Sequence, residues 1–365
     1  MKLILSQEPS LFSIYVNNNE SNISQLTFEP EILDYPRTCN ETFFGPKIVG
    51  SCRGLLCLNF PDFSILWNPS TKTHVKIPEP KNDFESDSVS EERKKWGFYV
   101  VQGLGYDEIN DDYKIIRVYQ YFCNLNGAKK FDSKVLVYSL KSGSWKRVAD
   151  FPYFVHFGVM NDVFVNGALH FKVSDKKRNS EGGDTFDSDN MIVAFDVSNE
   201  TYKVVTRLVC GKMKCQLDLG VLDGHLCLVR NFDFGVAQFL VMKEYGVNLS
   251  WTELFCVRRG DTCFSRLRPI SYLGDEKKQV LLEGGGEILC FDVESKSFKD
   301  FEIDGIDEEF EVICVCMESE VVLGRVDGND DNKMETNEEG VERVSTETTN
   351  EEGVERVSTE TGPKQ

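Results

Sequence analysis

Phe195-Asp196-Val197-Ser198-Asn199-Glu200-Thr201-Tyr202 is one of four copies of a short unit in this chain. An apolar run ends in an aromatic residue, a small polar residue follows, and a second ring or imidazole stands seven places after the first. The other copies run from Trp67-Asn68 to His74, from Tyr138-Ser139 to Trp145, and from Phe291-Asp292 to Phe298. Between the rings sit Ser, Thr, Asn, Gly and Lys, residues that turn a chain by tolerating left-handed dihedrals or bonding their own backbone. Each copy therefore predicts a β-hairpin. Four such hairpins in a chain with few helical signals predict sheets repeated around an axis, each burying its faces on its neighbours.

A second pattern lies upstream of the rings, where a glycine starts an apolar strand that leads into the hairpin. Its copies are Gly54-Leu-Leu-Cys-Leu58, Gly167-Ala-Leu-His-Phe171, Gly224-His-Leu-Cys-Leu228 and Gly286-Glu-Ile-Leu-Cys290. Reading from turn to turn gives five complete units, at 47–80, 96–152, 157–208, 215–257 and 268–303. The fourth is the least regular, with Leu240, Met242 and Trp251 where the others hold rings. Apolar segments remain at both ends: Leu3 to Leu5, Phe12 to Val16 and Ser24 to Phe28 near the start, and Glu311 to Cys316 near the end. Unpaired strand edges invite aggregation, so the two ends are expected to pair with each other and close a ring. The fold expected is all-β, a propeller of about six blades over residues 1–324.

Composition agrees with one large domain followed by a tail. The 365 residues are 41% hydrophobic and 12% aromatic, ample for a sizeable core. From Arg325 to Gln365 there are twelve acidic and five basic side chains and no aromatic, with a 13-residue sequence at 336–348 repeated at 349–361. Such a stretch lacks the apolar surface for a core, so 325–365 reads as a disordered acidic tail. The net charge of −19 argues against nucleic acid or an anionic membrane surface as partner.

Cysteine and histidine usage argues against cofactor chemistry. The twelve cysteines contain no CxxC pair, and Cys52, Cys57, Cys227, Cys290, Cys314 and Cys316 lie in apolar runs, as buried small hydrophobes do. A secretory leader is not legible in Leu3-Ile4-Leu5, which Gln7, Glu8 and Pro9 interrupt. A reducing compartment, cytoplasmic or nuclear, is the expectation. Asp107, Asp111 and Asp112 read as a hairpin turn rather than a cation loop. Glu283-Gly-Gly-Gly-Glu287 precedes a strand, so it reads as a turn rather than a phosphate cradle. His74, His156, His170 and His225 stand in no nucleophile or metal constellation. Lys72, Lys146, Lys203 and Lys299 recur near the hairpins and read as solvated edge residues.

Four motifs in order carry a family resemblance: Gly50-Ser-Cys-Arg-Gly-Leu-Leu-Cys-Leu58, Leu66-Trp-Asn-Pro-Ser-Thr71, Gly103-Leu-Gly-Tyr-Asp-Glu-Ile-Asn-Asp-Asp-Tyr-Lys-Ile-Ile-Arg-Val118 and Val163-Phe-Val-Asn-Gly-Ala-Leu-His170. Over about residues 1–323 the chain resembles the F-box-associated interaction domain of plant F-box proteins, the group with the S-locus F-box and F-box/kelch-repeat proteins. That resemblance implies a kelch-like propeller that holds a target protein while an F-box docks on the Skp-type adaptor of a cullin-based ubiquitin ligase. Leucine-rich helical sequence of the F-box kind is not found ahead of the first strand, so adaptor binding is not expected of these residues themselves. Two departures from this reading are kept: a chain that holds targets without delivering them, as competitor or relic, and a propeller enzyme. The enzyme requires titratable groups converging on the inner strands, which here read Leu, Val, Cys and Ile.

The reading expected is thus a non-catalytic, monomeric protein-binding module with no cofactor and no metal. Its recognition face is expected on loops 82–95, 176–190 and 258–266, because recognition concentrates on loops held by a rigid scaffold. The candidate partner-binding residues are Phe84, Trp96, Lys176, Lys177, Arg178, Arg258, Arg259 and Phe264.

Overall fold

The computed structural model describes residues 2–7, 9–16, 26–36, 45–61, 63–80, 97–125, 128–155, 163–175, 190–208, 215–233, 235–258, 266–274, 276–299, 301–303 and 311–324. All of them belong to the unit Met1–Val326. The chain opens with β1 (Lys2–Gln7), β2 (Ser10–Tyr15), β3 (Leu26–Phe28) and β4 (Glu31–Ile32). Antiparallel meanders follow. Blade 1 holds β5 (Lys47–Cys52), β6 (Leu55–Asn59), β7 (Ser64–Asn68) and β8 (Thr73–Ile77). Blade 2 holds β9 (Gly97–Asp107), β10 (Asp112–Leu125), β11 (Ala128–Ser139) and β12 (Ser144–Val148). In blade 3, β13 (Tyr153–Val155) and β14 (Val163–Val165) both pair β15 (Ala168–Asp175), followed by β16 (Asn190–Asp196) and β17 (Thr201–Leu208). Blade 4 holds β18 (Cys215–Leu222), β19 (His225–Phe232), β20 (Val236–Met242) and β21 (Trp251–Arg258). Blade 5 holds β22 (Arg268–Leu273), β23 (Gln279–Gly284), β24 (Glu287–Asp292) and β25 (Ser297–Lys299). Two strands end the series, β26 (Phe301–Ile303) and β27 (Glu311–Cys316).

The sixth blade is assembled from both ends, in the order β27-β1-β2-β4. Leu3 faces Val315 on one side and Ile14 on the other. Ring closure by pairing of the chain's first and last apolar strands is thus the observed arrangement. The core repeats the circle. Each of six apolar clusters fills the seam between two successive blades: Leu66, Val75 and Leu104 between blades 1 and 2, Val137 and Phe171 between 2 and 3, Ile192 and Leu228 between 3 and 4. Phe239 and Leu282 fill the next seam, then Leu281 and Leu5, and last Ile4 and Trp67. A blade packed on both faces needs apolar residues on both, so Ser64–Asn68 is buried throughout rather than alternating.

The ring pairs read from sequence are direct cross-strand partners: Trp67 with His74, Tyr138 with Trp145, Phe195 with Tyr202, and Phe291 with Phe298. Ring centroids are 5.3 Å apart in both the Tyr138–Trp145 and Phe291–Phe298 pairs. In all four hairpins the residue five places after the first ring has a left-handed backbone: Lys72, Gly143, Glu200 and Lys296, with φ of 57°, 61°, 55° and 56°. Blade 4 instead pairs Met242 with Trp251 across a longer turn containing the 3-10 segment Asn248–Ser250.

Three details of the sequence reading are corrected. Residues 26–28 form a strand but do not join the closing blade; they pair in parallel with Phe301–Ile303, the last residues of the unit expected at 268–303. The outer strand of the closing blade is β4, because Phe12 and Ser13 find their partners in Ile32 and Glu31. Gly286 opens the strand that itself carries Phe291, whereas Gly54, Gly167 and Gly224 each open the strand before the ring strand, so the fourth glycine copy is displaced by one strand.

Candidate functional site

Strand order sorts the turns onto two rims. Turns joining first to second and third to fourth strands share one rim, here the hairpin rim. Turns joining second to third strands and the connections between blades share the other, the crossover rim. Neighbouring blades are aligned by contacts at their turns: the Arg53 guanidinium lies 3.8 Å from the Tyr106 ring centroid and 2.5 Å from Glu108 Oε1, and Lys277 pairs with Asp223.

By connectivity the strand ends bracketing all three expected recognition loops lie on the crossover rim: Ile77 and Gly97, Asp175 and Asn190, Arg258 and Arg268. Arg258 is exposed at the end of β21, opposite Val236. Phe84, Trp96, Lys176, Lys177, Arg178, Arg259 and Phe264 lie outside the described residues, as does the 325–365 tail. A feature of this rim that the sequence reading missed is the β6–β7 turn, where Phe60 and Phe63 stack with centroids 4.6 Å apart and Lys76 Nζ lies 4.6 Å from the Phe63 ring. The sequence signal is two phenylalanines flanking Pro61-Asp62 in a short loop.

Charged groups are buried at the seams, and each has a partner. Lys114 Nζ reaches Asp107 Oδ2 at 2.7 Å and Glu200 Oε1 at 2.9 Å and donates to Val197 O at 3.0 Å, joining blades 2 and 3. Burial works against the Asp107 carboxylate, but hydrogen bonds from Asn110, Lys114 and Ser198 outweigh it and hold its pKa well below the usual carboxylate range. Arg117 pairs with Glu79 at 2.7 Å, donates to Gln102 Oε1 and Ser64 Oγ at 2.9 Å each, and lies 4.8 Å from the Trp145 ring, joining blades 1 and 2. Asp218 on the inner strand β18 pairs with Arg266 and accepts Asn231 Nδ2 at 3.0 Å. An acid on an inner strand departs from the all-apolar reading of those strands. Its partners bridge blade 4 to the start of blade 5.

The other titratable residues singled out have structural placements, except His156, which lies outside the described residues. Asp107 Oδ1 accepts the backbone N–H of Ile109 and Asn110, Asp112 accepts Ser139 Oγ and Lys141 N, and Asp111 is the left-handed turn residue at φ 54°. Gly285 and Gly286, at φ 66° and 84°, form the two-residue turn between β23 and β24. His170 is fully buried; its Nδ1–H donates to Val163 O at 3.0 Å, which leaves Nε2 to accept the Tyr245 hydroxyl at 2.8 Å. Burial lowers the His170 pKa to about 4. Cys52, Cys57, Cys227, Cys290 and Cys316 are buried, while Cys314 is partly exposed. Burial pushes the Cys52 and Cys227 thiols up to about 12. Of the recurrent lysines, Lys72, Lys146 and Lys203 are exposed, Lys146 while pairing with Glu200 at 2.7 Å, and Lys299 is half-buried and pairs with Asp292 at 3.2 Å.

Six sheets closed into a ring, with ion pairs crossing several of their seams, define a six-bladed β-propeller. The chain belongs to the family described as the F-box associated beta propeller domain, whose model matches residues 2–323. Among curated proteins it is similar to the F-box protein CPR1 of Arabidopsis thaliana, 32% identical over 77% of this chain and 69% of that protein. It is 31% identical to the F-box protein At4g22390 of the same species, over 69% of this chain and 63% of that protein. The F-box/kelch-repeat protein At3g23880 matches more distantly, at 26% over 58% of this chain and 52% of that protein. The chain thus spans about two thirds or less of the length of these relatives.

Proposed function

We propose that this propeller is the target-binding part of an SCF-type ubiquitin-ligase receptor and that it binds without catalysing a reaction. Membership of the F-box associated family, with relatives that are F-box proteins, is the observation that carries this reading. The buried charged groups support it, since Asp107, Lys114, Arg117 and Asp218 are engaged in holding blades together. In this reading residues 1–324 are the propeller, 325–365 an acidic appendage, and the protein acts as a monomer in cytoplasm or nucleus. The target is a protein held on the crossover rim by Phe84, Trp96, Lys176, Lys177, Arg178, Arg258, Arg259 and Phe264, while adaptor contact belongs to an F-box.

Affinity capture with the full chain tests it. A variant carrying Phe84→Ala, Trp96→Ala and Phe264→Ala is expected to lose the specifically captured partners, since each aromatic anchor contributes about 2 kcal/mol. Ile109→Ala on the hairpin rim is expected to keep them. Equal capture by both variants, or loss only with Ile109→Ala, rejects the crossover-rim assignment. Failure of a captured partner to be ubiquitinated when the chain is fused to an F-box rejects the receptor reading.

A further inference from the structure

One ring hairpin differs from the others at the residue following its first ring. That position holds Asn68, Ser139, Asp196 and Asp292 in the four hairpins, and in each the side-chain oxygen accepts a backbone N–H of its own turn. A hydroxyl or carboxylate serves that role as an amide does, but only the amide adds two N–H donors. Asn68 is fully buried and directs both donors to a distant segment: Nδ2 donates to Ser319 O at 3.0 Å and to Val321 O at 2.7 Å.

The receiving segment, residues 317–324, follows β27 and pairs with none of the described strands. Thr71 Oγ1 also donates to Val321 O at 3.1 Å, and Thr73 Oγ1 accepts the N–H of Leu323 at 3.0 Å. The bonded groups belong to residues 319, 321 and 323, the alternate positions that one edge of an extended chain presents. Leu323 is buried beside Cys52, Leu66, Val75, Leu104 and Tyr138. Met317 and Val322 stay 61% and 69% exposed. At the upstream end Tyr15 Oη donates to Glu318 Oε1 at 2.8 Å. Gly54 lets the segment approach closely, since an added Cβ would stand 2.2 Å from Ser319 Cβ. Main-chain groups read by fixed partners, with one side chain seated in a pocket, are the means by which receptors hold extended peptides. The ring closes through β27, which ends at Cys316, so departure of the segment leaves the closing ladder intact.

We propose that the Asn68–Thr73 hairpin and the Leu323 pocket form a peptide-binding groove, occupied in cis by residues 317–324. Its trans ligand is an extended partner segment with the chemistry of Glu318-Ser-Glu-Val-Val-Leu323: acidic at the first position and a leucine at the sixth. A second copy of this chain is a poor competitor, because each copy carries its own segment at high effective concentration. The groove lies on the hairpin rim and stands or falls independently of the crossover-rim reading.

The test uses full-length chains and a fluorescein-labelled peptide of residues 317–324, read by fluorescence anisotropy, with a scrambled peptide as control. Leu323→Ala loosens the cis segment and leaves the groove unchanged. Asn68→Asp keeps a turn-capping oxygen, as Asp196 and Asp292 show, but removes both donors and sets a carboxylate against two carbonyls. Leu323→Ala is expected to bind the peptide about tenfold more tightly than the unaltered chain, and the Leu323→Ala, Asn68→Asp double variant to lose that gain, a change of about 1.4 kcal/mol each way. Equal binding by single and double variants overturns the proposal, as does binding by Leu323→Ala no tighter than by the unaltered chain. Loss of the cooperative unfolding transition in Leu323→Ala also overturns it, since the segment is then part of the core.

Discussion

Leu3 is the direct cross-strand partner of Val315, so the second residue of β1 and a residue of the last strand lie side by side in one ladder. Leu3 is fully buried and packs with Ile14, Leu281 and Ile288 in the seam between blades 5 and 6. The first and last described strands therefore share one blade, and the ring is held shut by the packing of that blade against both neighbours.

Substituting Leu3→Ala is expected to cost about 2–5 kcal/mol, the usual range for a buried leucine that leaves a cavity. The loss should appear as one cooperative transition by urea denaturation followed at tryptophan fluorescence and far-UV circular dichroism. Two separated transitions would mean that the closing blade is not coupled to the ring.

Lys114→Met leaves Asp107 and Glu200 facing each other across the seam between blades 2 and 3 without their shared cation. Breaking a buried pair in this way costs about 3–5 kcal/mol. Because the Asp107 carboxyl is held below its unfolded value, its contribution is present above about pH 4 and is lost as pH falls through and below that value. The urea midpoint of the unaltered protein should therefore drop in acid more steeply than that of Lys114→Met, and parallel profiles would remove Asp107 from the account.

His170 acts in a higher window. Its folded pKa of about 4 lies below the ordinary imidazole value, chiefly because of burial. Between about pH 6.5 and 4 the unfolded chain binds a proton that the folded chain does not, so stability falls as pH is lowered through that range, by on the order of 3 kcal/mol in all. Replacing His170 with Gln should flatten this limb, at the cost of a lower midpoint at pH 7. An unchanged slope would place the titrating group elsewhere.

Lys296 occupies the left-handed position of the blade 5 hairpin at φ 56°. A β-branched residue is strained there, so Lys296→Val is expected to destabilise by about 1–3 kcal/mol while Lys296→Gly changes stability by less than about 1. Thermal melts of both variants check this, and equal melting temperatures would contradict the turn geometry.

The hairpins were legible because each is a local object. A ring, a polar cap such as Asp196, and a residue able to take a left-handed turn such as Glu200 lie within eight consecutive positions, and partners so close in the chain leave a fixed spacing in the sequence. The glycine pattern was local too, which explains both its detection and its misplacement: Gly286 has the right neighbours but opens a different strand. The parallel β3–β26 pair was not legible, since Leu26 and Phe301 share no periodicity that one strand could show about the other. The same holds for Lys114 and Glu200, which meet only because blades 2 and 3 stack, and for Asn68, whose amide looked like an ordinary turn residue until its carbonyl partners were placed.

The sequence by itself determined an all-β chain of repeated hairpins, with apolar strands at both ends that had to find partners. Only the tertiary structure decided which charged groups cross which seams, which rim carries the connections between blades, and that residues 317–324 lie against the first ring hairpin. Hydrogen bonding and side-chain alternation within a strand are set by neighbours a few residues away. Seams and rims arise where separate blades meet, and those contacts exist only once the ring has closed.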